Sequence, residues 1–138
     1  PTVLALTATA APPVRDEIIE RLGMRDVRVI VRGFDRPNIW LGVETFADDV
    51  AKERALVERV TAAEKPGIVY VATRKHAEDV AGLLNQSGVS ALAYHAGLPA
   101  HERQRVQQAF MDDAAGVIVA TVAFGMGVDK PNVRFVFH

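Results

Sequence analysis

Two glycines separated by one residue, Gly125 and Gly127, are the first feature of this sequence that suggests chemistry. They follow the apolar run GVIVA at 116–120, and such a pair lets backbone amides approach a ligand that side chains would otherwise keep away. The pair does not complete the dinucleotide fingerprint G-x-G-x-x-G, because Lys130 stands at the third glycine position. The phosphate loop G-x-x-x-x-G-K-S/T is missing from the sequence as well. The pattern predicts a ligand-facing loop, and no complete catalytic site is visible.

Four polar residues lie at the ends of apolar runs: Thr73 and Arg74 after 67–71 and Ala72, His95 after 90–94, and Thr121 after 116–120. Hydroxyls, arginine and free amides at helix starts can bind phosphate groups, but a threonine at a helix start more often caps its own helix. We favour the cap for Thr73 when this loop is taken alone. A lone histidine is usually a structural hydrogen-bonding residue, and no carboxylate stands at metal spacing from His95, so no metal site is expected.

Composition describes a globular chain without a strong basic surface. Of the 138 residues, 49% are hydrophobic and 24% charged, the net charge is −1, and cysteine is absent, which excludes disulfides and cysteine-ligated zinc. A free-standing nucleic-acid binder usually carries a basic excess, so any such contact here must be local. No apolar run approaches the ~20 residues needed to cross a bilayer, and no membrane partner is expected.

Apolar, β-branched runs alternate with amphipathic stretches of helical length. The predicted strands lie at 3–6, 27–31, 39–43, 67–71, 90–94, 116–120 and 133–137, and the predicted helices at 13–22, 48–63, 75–87 and 100–112. Most of the runs are continuously apolar, as in a parallel sheet covered on both faces. The alternation predicts an α/β three-layer sandwich with a mainly parallel sheet. Because parallel strands end at one edge, the polar loops are predicted to line a single binding edge.

Turn-forming residues at 32–38 interrupt the apolar pattern and predict a domain boundary, with residues 1–30 in one domain and residues 31–138 in another. The sequence begins directly on a predicted buried strand and stops on another at His138. We therefore expect the chain to be part of a longer protein.

Five stretches, in their order and spacing, resemble the RecQ family of superfamily-2 DNA helicases: ALTATA at 5–10, FDRPNI at 34–39, GIVYVATR at 67–74, AYHAGL at 93–98 and VATVAFGMGVDKPNVRFVFH at 119–138. The resemblance implies two tandem RecA-like domains that hold ATP and magnesium between them. It implies 3′ to 5′ movement on single-stranded DNA and unwinding of duplex DNA in repair and recombination. Residues 1–30 would end the first domain, and residues 31–138 would form most of the second, truncated before motif VI.

The resemblance also implies roles for single residues. Thr7 and Thr9 resemble motif III, which couples the nucleotide state to domain closure. Contacts with the DNA backbone are implied for Thr73, Arg74, His95 and Thr121, although the family often carries asparagine and serine before this arginine. A place in the ATP cleft is implied for Gly125, Gly127, Asp129 and Lys130, with Asp129 meeting the ribose. The phosphate loop, the magnesium-binding acidic motif and the motif VI arginines are not in this sequence, so the chain alone is expected neither to hydrolyse ATP nor to unwind DNA.

Three alternatives remain open from the residues. The chain could belong to another superfamily-2 motor, such as an RNA helicase or a chromatin remodeller. It could be a nucleotide-binding α/β enzyme of flavodoxin or Rossmann type, or a non-enzymatic interaction module. Under the favoured interpretation the partners are single-stranded and duplex DNA, ATP and the first RecA-like domain in cis. The expected location is the cytoplasm, with the nucleoid, in a bacterium and the nucleus in a eukaryote.

Overall fold

The computed structural model describes residues 2–7, 9–31, 37–125 and 127–138. Contacts divide the chain into two compact units, Pro1–Gly42 and Val43–His138. The predicted boundary lay after residue 30, and residues 32–36 of the turn-rich stretch lie outside the described residues. The assignment of residues 1–30 to another RecA-like domain stays a prediction.

The second unit contains a four-stranded parallel sheet. In chain order the helices and strands of the whole chain are α1 (Pro12–Arg21), α2 (Asp49–Ala62), β1 (Gly67–Tyr70), α3 (Arg74–Gln86), β2 (Ala91–Tyr94), α4 (Ala100–Met111), β3 (Val117–Ala120) and β4 (Phe135–Phe137). The strands lie in the order β2-β3-β1-β4, and the three neighbouring pairs are all parallel. The predicted parallel sheet is therefore confirmed, with each strand somewhat shorter than its apolar run.

Helices cover both faces of this sheet because successive strand residues point to opposite sides. On one face, Val69, Val117 and Val119 pack with the buried residues of α2 and α3, among them Leu84. On the other face, Ile68 and Ile118 pack with α4 through Val106 and Phe110. Phe110 and Leu84 are fully buried, and each such side chain contributes about 1.5–3 kcal/mol relative to an exposed one. The predicted three-layer α/β sandwich is confirmed.

All four predicted helices form, and their first residues explain where they begin. Pro12 and Pro13 open α1, where a missing amide hydrogen costs no helical hydrogen bond. Helix α2 begins after Asp48, whose carboxylate accepts a hydrogen bond from the Ala51 amide at 2.7 Å. Pro99 precedes α4. After α3, Gly88 adopts a φ of +81°, as expected of a residue that ends a helix.

The strands predicted at 3–6, 27–31 and 39–43 are wrong, because the described residues there form no strand. A strand requires a hydrogen-bonded neighbour, and an apolar run supplies only the side chains. Leu4, Ile30 and Leu41 accordingly remain 78%, 72% and 87% exposed. Among the described residues, none of the helices is long and apolar enough to cross a membrane.

Candidate nucleic-acid interface

Three parallel strands end together at the edge that carries the predicted site residues. Tyr70 of β1 and Tyr94 of β2 both lie in register with Ala120 of the central strand β3. Just beyond the strands, the Val71 amide donates to the Ala120 carbonyl oxygen at 2.8 Å, and the Thr121 amide donates to the Tyr94 carbonyl oxygen at 3.2 Å. The loops that follow β1, β2 and β3 therefore start side by side, as the sequence predicted.

Thr73 caps helix α3. Its backbone is extended, with φ −123° and ψ 155°, and its hydroxyl oxygen accepts a hydrogen bond from the His76 amide at 3.1 Å. The cap that the sequence favoured for this residue is confirmed. The remaining free amides at this helix start carry partial positive charge, which suits an anion.

Arg74, the first residue of α3, meets the loop after β2 at Gly97. A Cβ on residue 97 would lie 3.1 Å from Arg74 Cδ, 3.2 Å from Arg74 Nη1 and 3.1 Å from His95 Nδ1. A side chain at this position would be tight against both the arginine and the imidazole, and glycine leaves room for them beside this backbone. The structure thus brings together two of the four predicted DNA-contacting residues, one from each loop.

His95 is buried, with 4% of its surface exposed, and its Nε2 lies 3.0 Å from Glu78 Oε1 of α3. Its other ring nitrogen, Nδ1, is buried and has no hydrogen-bond partner among the described residues. Sequence reasoning missed Glu78. Glu78 lies four residues after Arg74, so the two residues share one face of α3. That spacing is the sequence signal that could have identified Glu78.

The glycine loop after β3 is held by Tyr70. The Tyr70 hydroxyl donates to the Phe124 carbonyl oxygen at 3.1 Å, and the Phe124 ring is buried against Tyr94 and Phe110. Gly125 and Gly127 follow with φ values of +115° and +80°, which side chains disfavour. The space around a Cβ at residue 127 is open to 4 Å. This backbone is therefore accessible to a ligand, while Met126 lies outside the described residues.

The Lys130 side chain is turned inward. Only 3% of it is exposed, and Nζ lies 2.7 Å from Asp113 Oδ1, 3.2 Å from the Met111 carbonyl oxygen and 5.3 Å from the centre of the Phe110 ring. Hydrogen bonds from Lys130, and then from Asn132, lower the pKa of the Asp113 carboxyl. The Lys130 ammonium thus ties its loop to the end of α4, so a contact of residue 130 with a nucleotide would come from its backbone.

Three predicted site residues remain: Asp129, Thr7 and Thr9. Asp129 is exposed. Thr7 and Thr9 belong to the first unit, where the Thr9 amide donates to the Thr7 hydroxyl oxygen at 3.2 Å. The structure does not test their roles in the ATP cleft or in coupling, which stay predictions.

Known proteins resemble this chain over most of its length. The family described as "Helicase conserved C-terminal domain" matches residues 51–138. The ATP-dependent DNA helicase RecQ of Pasteurella multocida is 44% identical over 137 residues, which are 99% of this chain and 21% of that protein. The Bacillus subtilis protein of the same name is 41% identical over 139 residues, 100% of this chain and 23% of that protein. The chain spans about a fifth of the length of these curated relatives.

Solved structures agree on the fold. Saccharomyces cerevisiae Dbp5 L327V, solved with RNA and ADP BeF3, superposes with a TM-score of 0.75 at 24% identity. The superposition covers 94% of this chain and 34% of that one. At this identity the likeness establishes a shared RecA-like fold and nothing about the ligand.

Proposed function

Because the chain belongs to the helicase conserved C-terminal domain family, we propose that its second unit is the second RecA-like domain of an ATP-dependent 3′ to 5′ DNA helicase of the RecQ type. In this proposal residues 1–30 end the first RecA-like domain, and that domain acts in cis. The whole protein unwinds duplex DNA in repair and recombination, in the compartment that holds the DNA. This chain supplies contacts to the single strand and one wall of the ATP cleft.

The observation that carries the proposal is the meeting of three loops at one edge of the sheet. This edge presents the capped start of α3, the Arg74 side chain, and the Thr121 loop beside the end of β2. Hydroxyls, amides and one guanidinium suit phosphate oxygens, which every sequence shares. Such a surface can hold a strand without reading its bases, as a helicase must, and it needs no large basic excess.

The glycine loop has some of the features expected of one wall of a nucleotide-binding cleft. The positive φ values of Gly125 and Gly127 and the open space at Gly127 leave backbone there free to approach a bound ATP, and Asp129 is exposed for the ribose. ATP supplies the phosphoryl transfer that drives each step. The magnesium-binding acidic motif of the resembled family is not in this sequence, so in this proposal the magnesium ligands belong to the first RecA-like domain.

The arrangement suggests how nucleotide state reaches the strand. The glycine loop and Thr121 lie on one segment after β3, and the Tyr70 hydroxyl holds that segment to the end of β1. The loop after β1 carries Thr73 and Arg74. A shift of the glycine loop on nucleotide binding would therefore pass to the phosphate-holding loops of the same edge.

The test is a titration of a labelled single-stranded oligonucleotide with the chain, followed by fluorescence anisotropy at low and moderate salt. We expect weak, sequence-indifferent binding that weakens as salt rises, because phosphate contacts release counterions. Arg74→Ala and Thr121→Ala should weaken binding. Arg54→Ala and Thr61→Ala on α2 are matched controls, since they remove the same groups away from this edge.

An equal loss of affinity in the edge variants and in the α2 controls would contradict the proposed strand contact. The same titration with single-stranded RNA tests the alternative of an RNA motor, which requires RNA to bind more tightly than DNA. A DNA-stimulated ATPase activity of the purified chain would contradict our expectation that it is inactive alone.

A further inference from the structure

The imidazole of His95 is placed between a carboxylate and the proposed phosphate-binding edge. Nε2 faces Glu78 Oε1 at 3.0 Å, and the ring is almost wholly buried. Nδ1, buried and without a partner, lies 3.1 Å from the point that a Cβ of Gly97 would occupy. The Arg74 side chain reaches within 3.2 Å of the same point. A buried polar atom without a partner is costly, and a group that hydrogen-bonds to Nδ1 would remove that cost.

Glu78 determines what Nδ1 can do. A carboxylate accepts hydrogen bonds, so Nε2 must carry the ring hydrogen that faces it. In the neutral ring Nδ1 then carries a lone pair and no hydrogen, so it cannot donate a hydrogen bond to a phosphate oxygen. When the ring takes up a proton, Nδ1 becomes a donor, and Glu78 stabilises the resulting positive charge.

We propose that phosphate binding at this edge is linked to protonation of His95, whose ring Glu78 holds in place. A phosphate oxygen accepts a hydrogen bond from Nδ1–H of the protonated ring, beside Arg74. This inference rests on the proposed strand contact and adds its regulation. The proton comes from solvent, and Nε2–H keeps donating to Glu78. In this proposal the Arg74 guanidinium turns away from the ring to donate to the same phosphate, and this movement uncovers Nδ1. Glu78 is a positioning residue, since it acts through His95.

The charges around the His95 ring determine whether affinity rises or falls as the pH falls. Among the contacts of the described residues, the ring faces Glu78 through Nε2 and Arg74 across Gly97, both from α3. Without a ligand, the guanidinium opposes a second positive charge nearby. A phosphate anion removes that opposition, so binding favours the protonated ring, and by linkage acidification favours binding. Affinity should rise as the pH falls.

The experiment measures the dissociation constant of the 138-residue chain for a labelled single-stranded oligonucleotide at fixed salt, across the range in which histidines titrate. From about pH 8 to about pH 5 we expect wild-type binding to tighten by roughly tenfold, the effect of one charge-assisted hydrogen bond. His95→Gln should lose this tightening, so that its affinity no longer rises as the pH falls. Glu78→Gln, which can still accept from Nε2–H, should shift the tightening to lower pH.

Two controls separate this effect from general charge and from other histidines. Glu58→Gln on α2 removes the same charge from a side chain that is 63% exposed, close to the 61% of Glu78, and should keep the wild-type pH profile. His76 lies in the first turn of α3, so His76→Gln tests the other nearby imidazole and should also keep the profile. As a direct readout, the NMR titration of the His95 ring should move to higher pH when oligonucleotide is added.

Each outcome decides between the two proposals. A wild-type pH profile in His95→Gln, or in Glu78→Gln, would overturn the proton linkage while leaving the strand contact in place. Failure of the wild-type chain to bind at any pH would overturn the strand contact itself, and the linkage with it. A His95 titration that does not respond to oligonucleotide would also overturn the linkage, even if affinity changes with pH for other reasons.

Discussion

Tyr70 and Gly125 lie so close that a Cβ on residue 125 would be 2.7 Å from the Tyr70 hydroxyl oxygen. The same hydroxyl donates to the carbonyl oxygen of Phe124, immediately before the glycine. The end of β1 thus fixes the place where the glycine loop leaves the core. Glycine is required at position 125 for two separate reasons, the nearby oxygen and a φ of +115°.

Gly125→Ala should therefore lower the free energy of unfolding by about 1–3 kcal/mol, because a side chain is strained at this φ and meets the Tyr70 hydroxyl. The measurement is urea unfolding followed by circular dichroism. Adding Tyr70→Phe should recover part of the loss, since it removes the oxygen but leaves the backbone strain.

Gly82→Ala is the matched control for this substitution. Gly82 lies within α3, and a Cβ there would meet nothing within 4 Å. Alanine should stabilise the helix by about 0.5–1 kcal/mol, the reverse of the effect at position 125. Equal effects at the two positions would contradict the role assigned to Tyr70.

The sequence predicted the sheet and its covering helices because their signals are local. Continuous apolar runs such as 116–120 and the spacing of Val80 and Leu84 on α3 need no knowledge of neighbours. Strands at 3–6 and 27–31 were predicted from the same kind of run and do not form. Pairing depends on a second strand elsewhere, and that information is absent from the run itself.

The candidate site was predictable to the level of loops but not of contacts. Parallel strands bring Thr73, His95 and Thr121 to one edge, and this follows from order alone. The Glu78 partner of His95 and the inward turn of Lys130 join residues from different elements. Such pairs depend on how helices are rotated against the sheet, which the pattern of apolar residues fixes only coarsely.

Asn85 should be a larger contributor to stability than its exposed position suggests. Its side-chain amide donates to the carbonyl oxygens of Ala81 and Ala91, both at 2.8 Å, and its oxygen accepts from the Ala91 amide at 3.1 Å. These bonds tie the end of α3 to the start of β2. Asn85→Ala should cost about 1–3 kcal/mol in urea unfolding, because backbone groups lose their partners.

Two variants define what the Asn85 side chain contributes. Asn85→Asp keeps the acceptor for the Ala91 amide but loses both donors and faces the two carbonyl oxygens with a carboxylate oxygen. We therefore expect it to lose at least as much unfolding free energy as Asn85→Ala. Gln86→Ala changes the next exposed residue of α3 and should leave stability nearly unchanged. An Asn85→Ala variant as stable as Gln86→Ala would show that the tie is not needed.

Asp113 should make stability depend on pH at the acid end. Hydrogen bonds from Lys130 and Asn132 lower the pKa of Asp113 in the folded chain. Its carboxylate therefore stabilises the fold fully at pH values above the ordinary pKa of an aspartate. That stabilisation is lost as the pH falls through the folded pKa. Asp113→Asn, which tolerates the φ of +58° at this position, should lower the melting temperature near neutral pH.

The difference between wild type and Asp113→Asn should shrink as the solution is acidified, because protonation removes the same charge. Thermal unfolding at several pH values gives the measurement. Asp79→Asn on the exposed side of α3 is the control, and its difference from wild type should not follow this pattern. A constant difference between wild type and Asp113→Asn at every pH would rule out the titration of Asp113 as the cause.

Thr73 is the residue at which the cap and the strand contact can be separated. Aspartate is also a strong N-cap, and its charge is favourable at a helix start, so Thr73→Asp should keep or slightly raise stability. The same charge would repel a phosphate at this edge, and oligonucleotide affinity should fall by roughly tenfold. Thr73→Ala should lose about 1 kcal/mol of stability, and Thr73→Ser should resemble wild type in both measurements.

The control for added charge is Thr61→Asp, at the end of α2 before β1 begins, and hence away from the carboxyl ends of the strands. It changes net charge by the same amount and should reduce affinity far less. If Thr73→Asp binds as tightly as Thr61→Asp, the threonine serves only its helix. If it folds normally and loses binding, the hydroxyl that caps α3 also lies where a strand phosphate is held, which is the arrangement that the proposed function requires.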